Sequence, residues 1–137
     1  MIPSLALLIS ALIRVESGGN DHAVGKAGEV GCLQITPAVV EDVNRIQKAI
    51  HFTLEDRENR DRSVLMCRIF IEHYATEERL GHEPTVQDMA RIWNCGPRGW
   101  QRDESLPYWR KVKAEILRGG GFNRPSPSRA DELPHRE

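Results

Sequence analysis

Leu5, Leu8, Ile9, Leu12 and Ile13 recur at helical spacing, and the run then stops at Gly18-Gly19-Asn20. A helix this apolar has to be wrapped by the rest of the chain, which makes it the centre around which a fold is built. It is far shorter than the ~20 apolar residues of a membrane span. It also lacks the basic flank and small-residue cleavage site of a secretory signal. The expectation is a core helix, opened by Ser4 as N-cap, with no stable membrane insertion.

Further helices follow from the same spacing. Thr36-Pro37 is a cap followed by proline at the first helical position, and Val39, Val40, Val43, Ile46 and Ile50 supply a stripe behind it. The stretch "HFTLEDRENRDRS" reads as a polar, irregular connection. Ser63 to about Leu80 reads as the longest helix, with Leu65, Met66, Ile69, Phe70, His73 and Tyr74 facing inward. Thr85-x-x-Asp88 resembles a capping box ahead of a helix over Met89–Trp93. A last helix starts at Pro107 and carries Tyr108, Val112, Ile116 and Leu117. Residues 20–35, punctuated by glycine, are poor helix material and suit a small irregular or β loop region. The fold class expected is mainly α. One domain is expected over residues 1–118, followed by a flexible tail rich in Gly, Pro and Ser over 119–137.

Charge excludes some functions. With 19 basic and 20 acidic residues the net charge is -1, so phosphate neutralisation cannot drive binding and no nucleic-acid partner is expected. Cys32, Cys67 and Cys95 form no C-x-x-C, and the five histidines lack zinc-ligand spacing, so no metal and no organic cofactor are expected. The thiols read as buried small apolar residues, with a Cys32–Cys95 bridge as the alternative. A monomer is the default.

Glu16 stands out on the last turn of the first helix. The negative pole of the helix dipole disfavours a charged carboxylate there, and burial against Leu12 or Trp93 would act in the same direction. A carboxyl kept protonated near neutral pH is what cleavage of a glycosidic bond needs as its general acid. The plain alternative is a solvated glutamate at a helix end.

Three segments decide between these. "ESGGNDHAVGKAGEVGCLQITP" resembles the first motif of the soluble lytic transglycosylase family of the lysozyme-like superfamily. "ARIWNCGPRGW" is similar to its Ala-x-Tyr-Asn-Ala-Gly-Pro segment, and "LPYWRKV" to its Tyr-Val-x-x-Val segment. They occur in the family's order. The resemblance implies a lysozyme-like helical domain with its loop region flanking a cleft, and Glu16 as catalytic acid/base. It implies that Tyr108 lies near Glu16, that Ser17 sits beside it, and that Gln34 and Asn94 bind the sugar. Gly28, Gly31 and Gly96 would let backbone approach the ligand, and Trp93 or Trp100 would either stack on a sugar face or pack in the core. Glu29, Cys32, Trp93 and Cys95 depart from the family pattern, which has Ala, Leu, Tyr and Ala there. Glu29 is either a second carboxylate facing Glu16 or a solvated loop charge.

The implied partner is the peptidoglycan glycan strand. Breaking its β-1,4 bond gives 1,6-anhydro products in a transglycosylase, where the 6-hydroxyl of N-acetylmuramic acid is the nucleophile. A hydrolase instead delivers water with the help of a second carboxylate such as Glu29. Asp21, Glu41 and Asp42 are weaker candidates for that second group. A non-catalytic glycan-binding protein on the same fold is the reading of another class. Work on the cell wall implies an exported or phage-delivered protein, although no signal peptide is visible.

Overall fold

The computed structural model describes residues 5–119. The expected N-cap at Ser4 and the expected tail lie outside these residues, except for Gly119, which belongs to the last helix. Six α-helices follow one another: α1 (Leu5–Ser17), α2 (Pro37–Ile46), α3 (Arg60–Tyr74), α4 (Glu77–Leu80), α5 (Val86–Cys95) and α6 (Leu106–Gly119). Single 3-10 turns lie at Leu54–Glu58, Gly99–Gln101 and Asp103–Ser105.

The mainly α class expected from periodicity is the observed one. Helix α1 buries Leu5, Leu8, Ile9, Ala11, Leu12 and Ile13 and packs on α3, α5 and α6, which makes it the axis of the domain. Leu33 and Ile35 of the following loop, Val43 of α2, Met66 and Ile71 of α3, Met89 and Ile92 of α5 and Val112 of α6 close around it. Each fully buried side chain of this kind contributes about 1.5–3 kcal/mol. The loop after α1 contains two isolated antiparallel bridges, Val24 with Val30 and Val30 with Ile35, where a small β region was expected.

Several boundaries differ from expectation because polar side chains replace helical hydrogen bonds. Helix α2 ends at Ile46, not Ile50. Gln47 there accepts the Ile50 N–H at 3.0 Å and donates to the Ile50 carbonyl at 2.8 Å, while Asn44 makes the same paired contact with Phe52 at 2.9 Å each way. The expected single helix from Ser63 to Leu80 starts earlier, capped by Asn59, and breaks at Ala75. Thr76 then caps a new turn by accepting the Arg79 N–H, and Gly81 closes it in the left-handed region. The "irregular" connection holds a capped turn in which Thr53 and Asp56 bond each other's backbone. The capping box at Thr85 and Asp88 is formed, at 3.0 and 2.9 Å, but α5 runs from Val86 to Cys95 rather than only Met89–Trp93. Of the apolar residues of the last helix, Val112 is fully buried while Leu117 is 69% exposed.

Candidate active site

Glu16 lies where α1 runs out. Gly18 and Gly19 adopt φ of +66° and +95°, which turns the chain sharply away and leaves the Glu16 carboxyl at the rim of a cavity of about 260 Å³. Burial pushes its pKa up from 4.5 to about 7. The Glu29 charge adds to the rise, while hydrogen bonding from Tyr108 and Trp93 opposes it. The Tyr108 hydroxyl reaches in from α6 and donates to Glu16 Oε2 at 2.8 Å. At neutral pH Glu16 is therefore poised between acid and base.

The loop wall carries Gln34 and Glu29, both of which line the cavity with Glu16. Gln34 is held at φ +51°, an uncommon conformation for a non-glycine residue. Its amide nitrogen donates to the Ala23 and Gly31 carbonyls at 3.2 and 3.0 Å, which fixes the side-chain plane. Its Oε1 faces Gly25, where a Cβ would lie 2.7 Å from Gln34 Oε1 and 2.6 Å from Glu29 Oε1. Gly25 thus leaves the room in which these two side chains sit. Glu29 is half-buried and accepts the Ala27 N–H at 2.7 Å. It is a carboxylate of the cleft and not a freely solvated loop charge.

Asn94 and Gly96 form the opposite wall at the end of α5, beside the half-buried Trp93. Trp93 packs edge-on against Phe70 at 5.5 Å, as the core reading expected, and also lines the cavity. Phe70 and Val39 supply apolar floor. Both fall on helical stripes whose spacing carries no signal that the stripe reaches a cleft. Cys67, buried on α3, lies close enough for the Glu16 charge to raise its pKa, with its own burial the larger cause.

Other candidates serve the framework. The Ser17 hydroxyl donates to the Cys32 carbonyl at 2.8 Å and accepts the Gly19 and Asn20 N–H groups at 3.1 Å, tying the loop to the helix end. Gly31, expected to let backbone near a ligand, instead gives room to protein. At φ +94° any Cβ would run into the Arg57 carbonyl. Trp100 packs edge-on against His82 at 5.4 Å and is not among the cavity's lining residues. Asp21 is paired with Arg60 at 2.9 Å, and Asp42 accepts hydrogen bonds from Arg45 and from Tyr74, so neither is a second carboxylate of the cleft. Glu41 is exposed on α2. The three thiols are free, with no Cys32–Cys95 bridge. Among the described residues, no group of three or more His, Cys, Asp or Glu could hold a metal ion, and no helix is long and apolar enough to cross a membrane.

This site sits inside a segment that a family model recognises: the transglycosylase SLT domain matches residues 4–114. The chain belongs to that family. Its members are lytic transglycosylases, glycosidase-like enzymes acting on peptidoglycan, and this chain is an enzyme of that kind. A search of curated proteins gives no match. Among solved structures, a chain of the crystal structure of Aeromonas hydrophila PliI in complex with Meretrix lusoria lysozyme superposes with a TM-score of 0.64. It is 21% identical and covers 78% of this chain and 86% of that one. At that identity the likeness speaks for the fold, a lysozyme-like helical domain.

Proposed function

We propose that the SLT-domain chain cleaves the β-1,4 bond between N-acetylmuramic acid and N-acetylglucosamine as a lytic transglycosylase, with Glu16 as acid and then base. The observation that carries this is the Glu16 carboxyl itself, half-buried at a cavity rim, bonded by Tyr108 and raised to a pKa of about 7. Protonated Glu16 gives its proton to the bridging oxygen as the bond breaks through an oxocarbenium-like state. The resulting carboxylate then takes the proton of the 6-hydroxyl as that oxygen bonds to the anomeric carbon. No water is consumed, and the sugar supplies its nucleophile at high effective concentration. Gln34 Oε1 and the Asn94 amide offer acceptor and donor groups suited to acetamido and hydroxyl groups on the strand. Digestion of purified peptidoglycan tests the assignment. Wild type should release soluble muropeptides, while Glu16→Gln should keep its affinity for the glycan and lose turnover. Equal release by both would remove Glu16 from the chemistry, and binding without release by either would favour a glycan-binding protein.

One observation favours a second reading. Glu29 shares the cavity with Glu16, and its charge acts on it. A carboxylate so placed could activate water, giving a hydrolase whose products carry ordinary reducing ends. We favour the transglycosylase because a single acid/base suffices for it and one Glu29 oxygen is already engaged by the Ala27 N–H.

A further inference from the structure

Arg57 lies in the polar connection between α2 and α3, far in sequence from every cleft residue, yet its hydrogen bonds converge on the cleft loop. One guanidinium nitrogen, Nη1, donates to the Gly28 carbonyl at 3.0 Å and to the Ile35 carbonyl at 3.1 Å. Gly28 immediately precedes Glu29, and Ile35 immediately follows Gln34. A single group thus bridges the two ends of the segment that bears both loop-side cleft residues. The guanidinium is itself steadied, because Nε donates to the Leu54 carbonyl at 2.9 Å within the same turn. The Arg57 backbone is fixed as well. Its carbonyl accepts the hydroxyl of fully buried Ser63 at 2.9 Å and rests against Gly31, where only a glycine fits.

We propose that Arg57 is a positioning residue, clamping the Gly28–Ile35 segment so that Glu29 and Gln34 are held at the Glu16 cleft. Two carbonyls on one donor nitrogen define a distance across the segment, which a single contact would not. The clamp also explains why Gly31 is needed, since the strap carrying Arg57 has to lie directly on the loop. The proposal builds on the reading of Glu16 as the acid/base, and its test is chosen to be independent of turnover.

The groups facing Glu16 are Glu29 from the loop, Tyr108 from α6, Trp93 from α5 and Cys67 from α3. Of these, only Glu29 depends on Arg57 for its place. Titration of the Glu16 carboxyl by carbon-13 NMR in the intact protein therefore reads the clamp. Arg57→Lys keeps the charge but has a shorter reach and lacks the donor to Leu54. It should let Glu29 drift away from Glu16, so that the Glu16 pKa falls by roughly 0.5. Arg57→Gln should lower it as well, against the rise that loss of a cation alone would cause. In a Glu29→Gln background, Arg57→Lys should add only a small further fall. The lysine variant preserves the charge and most of the stem, and a cooperative melt confirms that it folds. A strut that served stability alone would lower the melting temperature and leave the Glu16 titration where it is. An unmoved or raised Glu16 pKa in folded Arg57→Lys overturns the proposal. Failure of wild type to cleave peptidoglycan would instead overturn the functional reading, leaving the clamp to be judged by the titration.

Discussion

Replacing Glu16 with Gln should make this protein more stable at alkaline pH. The Glu16 pKa is about 7 in the folded chain against 4.5 for an ordinary glutamate, a difference of about 2.5. Between those two values the folded state retains a proton that the unfolded chain has released, so stability falls as pH rises from 4.5 through 7. At 1.36 kcal/mol per unit, the full cost above pH 7 is about 3 kcal/mol. Glutamine keeps the shape and can accept the Tyr108 hydroxyl, but it never ionises. Urea unfolding of both proteins at pH 4.5, 6 and 8 measures the effect. The two should be nearly equal at pH 4.5, and Glu16→Gln should be ahead by about 2–3 kcal/mol at pH 8, roughly 10 °C in melting temperature. A stability difference that stays constant across this range would refute the claim that burial holds the Glu16 proton.

Tyr108→Phe removes a donor that holds the Glu16 pKa down, so the alkaline limb of activity should move upward while turnover falls about tenfold through loss of a hydrogen bond to an ionisable group. A pH–rate profile of the variant checks both. Gly31→Ala should destabilise by more than about 1–3 kcal/mol, because the residue needs φ +94° and its Cβ meets the Arg57 carbonyl. Chemical denaturation gives the value. Leu12→Ala, at a fully buried position of the axial helix, should cost about 2–5 kcal/mol by the same method.

The helices, and the place of Glu16 at the end of the first, could be read from the sequence because their signals are local; the role proposed for Glu16 came from motif resemblance. Five apolar residues at helical spacing identify α1, and the glycines after Ser17 mark where it ends and therefore where Glu16 stands. Gln34 and Asn94 came from motif resemblance, and both line the cavity with Glu16. Legibility failed wherever a side chain's partner is distant or replaces a backbone bond. Gln47 and Asn44 end α2 early with paired amide contacts that no periodicity shows. Thr76 splits the long helix because its hydroxyl offers the backbone a competing cap. The framework contacts of Ser17 and Gly31 were hidden for the same reason. Their partners are the Cys32 carbonyl and the Arg57 carbonyl, which only the folded chain brings to them. Arg57 was one charge in a polar run until its two carbonyl partners were seen.

The most direct test of the central claim is mass spectrometry of the soluble products from purified peptidoglycan, with Glu16→Gln run alongside. The account predicts 1,6-anhydro muropeptides from wild type and none from the variant. Muropeptides with ordinary reducing ends would contradict the transglycosylase mechanism and transfer the second half of the reaction to Glu29 and water. Anhydro products that persist in Glu16→Gln would contradict the assignment of the acid itself.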